Sequence, residues 1–336
     1  MGVRISTRRQ PNDFDANRAY WVSPDRIEYV HTWPDYNGKC AESARVIGGN
    51  WDNKIVRLTE LKPFRVPQES PTRNSLWEET EHYGRVLSDD EVTVCIDRNG
   101  TLLLEGGGYR LATTKLFGVD KIPVKIIARH SQWYRFRNEV IDYARTHGGK
   151  IYQSISHPDL CDIPSAHSDA RFRIIRAHLP VQSGDLLDIG AHWGYFCHRF
   201  EEEGFNCHAV ENDTTHLYFL EKLKKAERRK FTIISKSIFD YHDKTDFDVV
   251  LALNIFHHFL KTEERYRALV ALLGRLDMRV MFFQAHNPGE PQMRGAYRNY
   301  ECGEFVRFIS ENSCLGKAMH IGTPPDGRPL YLLSKS

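Results

Sequence analysis

Two spacings of apolar residues alternate along the second half of the chain. Short β-branched and aliphatic runs predict strands, and apolar residues three and four positions apart predict helices between them. The predicted strands are 186–189, 207–211, 231–234, 247–253 and 279–283, and the predicted helices are 171–176, 195–203, 215–229, 262–274 and 303–312. This alternation is typical of a parallel sheet with helices on both faces. Two strand-like runs around 317–321 and 329–333 predict a terminal hairpin.

The first half has a different pattern, which predicts a separate, smaller α+β domain. Predicted strands at 92–96, 101–105 and 121–127 include a hairpin at Asn99-Gly100, because both of these residues tolerate positive φ. Helices are predicted to open at 76–80 and to cover 109–117 and 131–147, and Trp21, Trp33 and Trp51 are predicted core anchors. We therefore expect a domain at 1–150, a linker at 151–165 and a second domain at 166–336.

Composition narrows the class of protein. The 336 residues include 41% hydrophobic and 27% charged side chains, enough for two folded cores. No apolar run approaches the roughly 20 residues of a membrane span. The seven dispersed cysteines contain no C-x-x-C pair, which favours a reducing cytoplasm and argues against a structural metal site. A net charge of +2 does not favour nucleic acid as a partner.

A glycine-containing turn follows the first strand of the second domain. Gly190 and Gly194 permit close approach of ligand and backbone, and Asp188 at the strand end can accept a hydrogen bond from an ammonium group. Glu211 ends the next strand, where a carboxylate can bind ribose hydroxyls. The G-x-G-x-x-G fingerprint is absent, and Asp188 would repel a pyrophosphate. These charges favour a sulfonium ligand with an α-amino group over NAD.

The run Asp188-Ile189-Gly190-Ala191-His192-Trp193-Gly194, with Glu211, resembles the first motifs of class I S-adenosylmethionine-dependent methyltransferases. The resemblance covers 186–333 and includes runs 247–250 and 327–331. It implies a doubly wound, mainly parallel seven-stranded sheet with one antiparallel strand, and S-adenosylmethionine as cofactor. The expected cofactor contacts are Asp188, Gly190, Ala191, His192, Gly194, Glu211, Asn212, Ser237, Ile238 and Asn254. Ser237 and Ile238 stand where family members often carry an adenine-binding Asp, and Asp240 lies close to them.

Acceptor chemistry is expected after the fourth strand, where Asn254-Ile255-Phe256-His257-His258-Phe259 follows. We expect His257 or His258 to remove a hydroxyl proton near pH 7 as the methyl group transfers. The alternative is that both pack or cap a helix. No Asn/Asp-Pro-Pro-Tyr/Phe run and no Pro-Cys pair follows this strand, which argues against methylation of DNA bases. We therefore expect O-methylation of a small molecule or glycan.

The run 96–112 resembles the ParB/sulfiredoxin-like superfamily, in which an acidic-Gly-x-x-Arg run lies between a hairpin and a helix. The resemblance implies that Glu105, Gly108 and Arg110 contact a nucleotide phosphate. Members of that superfamily differ in function, so an inactive retained fold is equally open. Alternative functions are a nucleotide-dependent regulator or kinase with an accessory methyltransferase domain, and a protein that binds and modifies DNA or RNA.

Overall fold

A computed structural model describes residues 20–28, 92–107, 111 and 121–335. Its contacts divide the chain into two compact units, Met1–Glu139 and Val140–Ser336. Several predictions lie outside the described residues. They are the anchors Trp33 and Trp51, the helices at 76–80 and 109–117, and the phosphate contacts Gly108 and Arg110.

The first unit contains a five-stranded sheet. Its strands are β1 (Tyr20–Val22), β2 (Ile27–Glu28), β3 (Val92–Ile96), β4 (Leu102–Gly106) and β5 (Ile122–Arg129), in the order β1-β5-β3-β4-β2. The predicted hairpin between β3 and β4 is confirmed, and the Asp97 carboxylate accepts the N–H groups of Asn99 and Thr101. Trp21 was wrongly predicted as a core anchor. It is 65% exposed, because it lies on an edge strand and points away from the core. Glu105 is half-buried in β4, and the ParB-like assignment stays a prediction.

Helix α1 (Ser131–Thr146) was predicted at this place, and it ends at Gly148 and Gly149, which both have positive φ. The division between the two units falls within this helix. The segment predicted as a linker is folded instead: β6 (Ile151–Gln153) pairs in parallel with β7 (Ser165–His167). Ile151 and Leu160 are fully buried, so this segment contributes apolar side chains to the core of the second unit.

The second unit is built on the predicted seven-stranded sheet. Its helices are α2 (Ala170–Ala177), α3 (Tyr195–Glu202), α4 (Thr214–Ala226), α5 (Glu263–Arg275) and α6 (Cys302–Asn312). Its strands are β8 (Gly184–Ile189), β9 (Phe205–Val210), β10 (Thr232–Ile234), β11 (Asp246–Leu253), β12 (Asp277–Gln284), β13 (Lys317–Gly322) and β14 (Leu330–Ser334). Every strand and helix predicted from residue 171 onward is present, with bounds that differ by a few residues.

Strand order in this sheet is β10-β9-β8-β11-β12-β14-β13, and β14 alone runs antiparallel to its neighbours. Alternate residues along β8 face opposite cores. Leu187 and Ile189 pack with α5 and α6, whereas Leu186 packs with α2, α3 and α4. The chain order reverses between β8 and β11, the switch point at which open α/β sheets bind ligands.

Among the described residues, no helix combines the length and apolarity that crossing a bilayer requires.

Candidate functional site

A cavity of about 420 Å³ opens at the carboxyl ends of β8, β9, β10 and β11, beside the switch point. This volume lies in the range of small-molecule sites. Most of the predicted site residues line it: Gly190, His192, Glu211, Asn212, Ser237, Ile238, Asn254, His257 and His258. Three predicted residues, Asp188, Ala191 and Gly194, do not. The sequence did not indicate several further lining residues, among them Tyr152, Asp213, His216, Gln292 and Arg328.

The turn after β8 gives its two glycines different tasks. Gly190 (φ +76°) borders the cavity, and a Cβ there would lie 2.9 Å from Ile255 Cδ1. Gly194 (φ +79°) instead precedes α3, and a Cβ there would collide with the Leu220 side chain. Gly194 therefore allows helix packing rather than ligand approach, a correction to the sequence expectation. His192 adopts φ +54° in the same turn.

Glu211 is the most completely bonded side chain of the site. Its Oε2 accepts the backbone N–H of His192 at 2.9 Å, and its Oε1 accepts those of Asn212 and Asp213, also at 2.9 Å. Burial opposes ionisation, but the neighbouring His216 imidazole and these backbone donors outweigh it and hold the pKa of Glu211 below its ordinary value. A carboxylate offers about four acceptor positions, so one stays available to a ligand hydroxyl.

Asp188 and Arg171 form a pair of buried opposite charges behind the cavity wall. Asp188 is 3% exposed, and within the described residues its side chain accepts one hydrogen bond, from the Cys197 thiol to Oδ2 at 3.9 Å. Burial and, to a lesser extent, the nearby Glu211 charge raise the pKa of Asp188 to about 7, against the opposing effect of Arg171. Arg171, from α2, is 2% exposed and donates from Nη1 to Gln284 Oε1 at 3.0 Å.

The Arg171 guanidinium is incompletely bonded. Its Nε and Nη2 atoms find no hydrogen-bond partner within the described part of the chain. The guanidinium carbon lies 5.7 Å from the ring centroids of Tyr152 and Phe196, so Arg171 is adjacent to one wall residue of the cavity. A buried cation with unpaired donors is costly unless an anion reaches it. The sequence pattern did not indicate Arg171 as a residue of the site.

Asn254 and Tyr152 form a second polar pair, at the end of β11. Asn254 adopts φ +57°, and its Nδ2 donates to the Tyr152 hydroxyl at 3.1 Å. The Tyr152 hydroxyl oxygen is the acceptor in this bond, so the hydroxyl hydrogen can be donated to another group. Asn254 Oδ1 is buried and has no partner in the described residues. The pair offers one donor and one acceptor toward a ligand.

The two histidines predicted as bases lie together in a 3-10 turn, Phe256–Leu260, with ring centroids 4.0 Å apart. Burial, with smaller contributions from His258 and Arg328, lowers the pKa of His257 to about 3. The pKa of His258 is also lowered, by burial and then by Lys261 and Arg265. A group with such a low pKa is a weak proton acceptor. This geometry disagrees with the expectation of a base that titrates near 6.5.

Ser237 and Ile238, which stand where the family resemblance implies contacts to adenine, both line the cavity. Ser237 caps the following turn by accepting the Phe239 N–H at 3.3 Å. Asp240, which lies close to Ser237 and Ile238 in the sequence, does not line the cavity.

Comparison with known proteins gives similarities in structure alone. No family model and no curated sequence matches the chain. The bifunctional kinase-methyltransferase WbdD matches with 18% identity and a TM-score of 0.48, over 58% of this chain and 46% of that one. The match thus spans less than half of WbdD. The N-methyltransferase NodS from Bradyrhizobium japonicum WM9 matches 50% of this chain and 94% of its own, with 12% identity and a TM-score of 0.40. The methyltransferase domain of bacterial CtHen1-C matches with 12% identity and a TM-score of 0.39, over 50% of this chain and 95% of that one.

Proposed function

We propose that the second unit is an S-adenosylmethionine-dependent methyltransferase that acts on a small molecule or glycan. The observation that carries this proposal is the arrangement of two ligand-complementary features on neighbouring strands. Glu211 ends β9 as an ionised carboxylate with one free acceptor position. Asp188, near the end of β8, and Arg171, on α2, are buried groups of opposite charge, and the Nε and Nη2 atoms of Arg171 have no partner among the described residues.

Together these features match a nucleoside joined to an α-amino acid. Glu211 accepts one ribose hydroxyl, because its other acceptor positions are already occupied. Asp188 receives the α-ammonium group and Arg171 the α-carboxylate, since each buried charge then gains its missing partner. NAD and ATP carry phosphates rather than a zwitterion, and Asp188 would repel those phosphates.

When bound, the cofactor supplies an electrophilic methyl group on a sulfonium. The contribution of the chain is to hold the acceptor and that methyl group in line, at about 3 Å, which accounts for most of the rate in such displacements. Asn254 and Tyr152 line the same cavity as Glu211 and His257 and are bonded to each other. They are therefore placed to orient the reacting groups.

Calorimetric titration of the full chain with S-adenosylhomocysteine, ATP, CTP and NAD tests the proposal. We expect stoichiometric binding of S-adenosylhomocysteine and no competition from the other three. Arg171→Gln should weaken S-adenosylhomocysteine by roughly 10- to 100-fold, the scale of a charged hydrogen bond. It should leave 5′-methylthioadenosine, which lacks the amino acid, unaffected.

Arg173→Gln is the matched control, because Arg173 lies on the exposed face of the same helix. Failure of wild-type protein to bind S-adenosylhomocysteine would refute the function. Equal weakening of both ligands by Arg171→Gln would refute the role of Arg171 alone.

A further inference from the structure

The cavity has opposite charge at its two ends. Glu211 and Asp213 line the cofactor end together with Lys236, so one net negative charge remains there. At the other end Arg328 lines the wall next to His258, and Lys261 and Arg265 follow His258 at the end of the same turn and the start of α5. All the charges that act appreciably on His258 are positive.

These cations are only partly neutralised. Arg328 makes a two-point ion pair with Glu290, at 3.0 and 2.6 Å. Glu263 pairs with Arg267 on the outer side of α5. Within the described ranges neither Lys261 nor Arg265 has a carboxylate within ion-pair distance. The charge around His258 is therefore net positive, from Arg328 in the cavity lining and from the half-buried Lys261 and the exposed Arg265 outside it.

The same end lacks an effective base. His257 is buried, and its ring stacks near those of His258 and His286, at centroid distances of 4.0 and 5.7 Å. Neutral hydroxyl groups need a proton acceptor as they are methylated, and the lowered pKa values of His257 and His258 make these two imidazoles poor proton acceptors. A neutral amine needs no base, but its methylation creates an ammonium cation, which the surrounding positive charges oppose. An acceptor that is already an anion meets neither obstacle.

We propose that the methyl acceptor carries an anionic oxygen, a carboxylate or a phosphate, which binds beside His258 and Arg328. This inference rests on the proposed methyltransferase function. In the reaction a lone pair of the anionic oxygen forms the new O–CH₃ bond as the C–S bond breaks, and the bond electrons pass to sulfur. The acceptor loses one negative charge and the sulfonium loses its positive charge, so an ester and a neutral thioether form without transfer of a proton.

The test uses the full chain loaded with S-adenosylhomocysteine, whose binding is measured first. Histidine-ring NMR then follows titrations with inorganic phosphate, acetate and, as a neutral probe, acetamide. We expect saturable shifts of the His258 ring with at least one anion and none with acetamide. The tighter anion distinguishes a phosphate from a carboxylate acceptor.

The double variant Lys261→Gln/Arg265→Gln should weaken the anion about tenfold, the order expected on removal of two partly screened charges. Its affinity for S-adenosylhomocysteine should be unchanged. Arg267→Gln, on the same helix but paired with Glu263, is the control and should behave as wild type. Absence of a saturable anion shift, an equal response to acetamide, or an unaltered double variant would each overturn the inference. Failure to bind S-adenosylhomocysteine would instead refute the proposed function beneath it.

Discussion

Replacement of Glu211 by Gln separates the two tasks of this side chain. The carboxylate accepts three backbone N–H groups at 2.9 Å, from His192, Asn212 and Asp213. An amide replaces one oxygen with a donor, so at least one backbone N–H must face another N–H. Leaving such a group unpaired costs about 1–3 kcal/mol. In a unit of this size each kcal/mol lowers the unfolding midpoint by about 2–4 °C.

The loss for ligand binding adds to this loss of stability. A ribose hydroxyl loses its charged acceptor, and the turn that carries His192 loses its anchor. We expect S-adenosylhomocysteine affinity to fall by about 1–3 kcal/mol, or roughly 5- to 150-fold. Glu211→Ala removes both oxygens and should lose at least as much.

Calorimetry and thermal unfolding of the same preparations measure both effects. Glu221→Gln is the control, since Glu221 is an exposed carboxylate on α4 and should leave both quantities unchanged. A folded Glu211→Gln protein with wild-type affinity for S-adenosylhomocysteine would refute the ribose assignment. A lower midpoint with unchanged affinity would show that Glu211 only holds the turn together.

Three further outcomes follow from the structure. Gly194→Ala should destabilise the protein by about 1–3 kcal/mol more than Gly204→Ala. Both glycines have positive φ, but only a methyl group at position 194 would meet a neighbouring side chain. Equal losses of unfolding free energy in denaturant would contradict this. Because burial raises the pKa of Asp188 to about 7 and an ammonium group requires it ionised, S-adenosylhomocysteine affinity should rise from pH 6 to pH 8 with proton release at pH 6. Calorimetry in two buffers measures this, Asp188→Asn should abolish it, and a wild-type affinity that does not change with pH would argue against the contact. A fragment of residues 131–336 should fold and bind S-adenosylhomocysteine, whereas a fragment of residues 166–336 should not, because it lacks β6. Circular dichroism measures folding of the two fragments and calorimetry measures their binding. Binding by the shorter fragment would rule out a role for β6.

The local sequence pattern was sufficient to predict the strands of the sheet and the part of the site formed by Glu211 and the turn at Gly190. The predicted strands of the second unit are present because continuous apolar runs such as 247–253 favour buried strands. The segments between these runs have the apolar spacing of helices. Glu211 and the turn at Gly190 could be placed together because consecutive parallel strands end at the same edge. The roles within the turn could not be read in the same way. Whether a glycine faces a ligand or a neighbouring helix depends on Leu220, which lies 26 positions after Gly194 in the chain.

The site residues that the sequence did not indicate lie far along the chain from the residues that they contact. Tyr152 meets Asn254 from 102 positions away, and Arg171 meets Gln284 from 113 positions away. Tyr152 also lay in a stretch whose prolines suggested a linker. One signal for Arg171 was present, since it occupies the same face of its short helix as the buried Ile175. The low pKa of His257 results from burial and from charges gathered by the fold, which no local pattern indicates.

The position of β14 has a consequence for how the protein is made. This strand is the last of the sheet in sequence, yet it lies between β12 and β13, with Leu330 and Leu333 fully buried. Arg328, just before it, lines the cavity. During synthesis on the ribosome, Arg328 therefore emerges after all the other residues that line the cavity. A nascent chain interrupted before this strand lacks Arg328 and leaves the edge of β12 unpaired, so it is a substrate for chaperones and proteases until β14 is added.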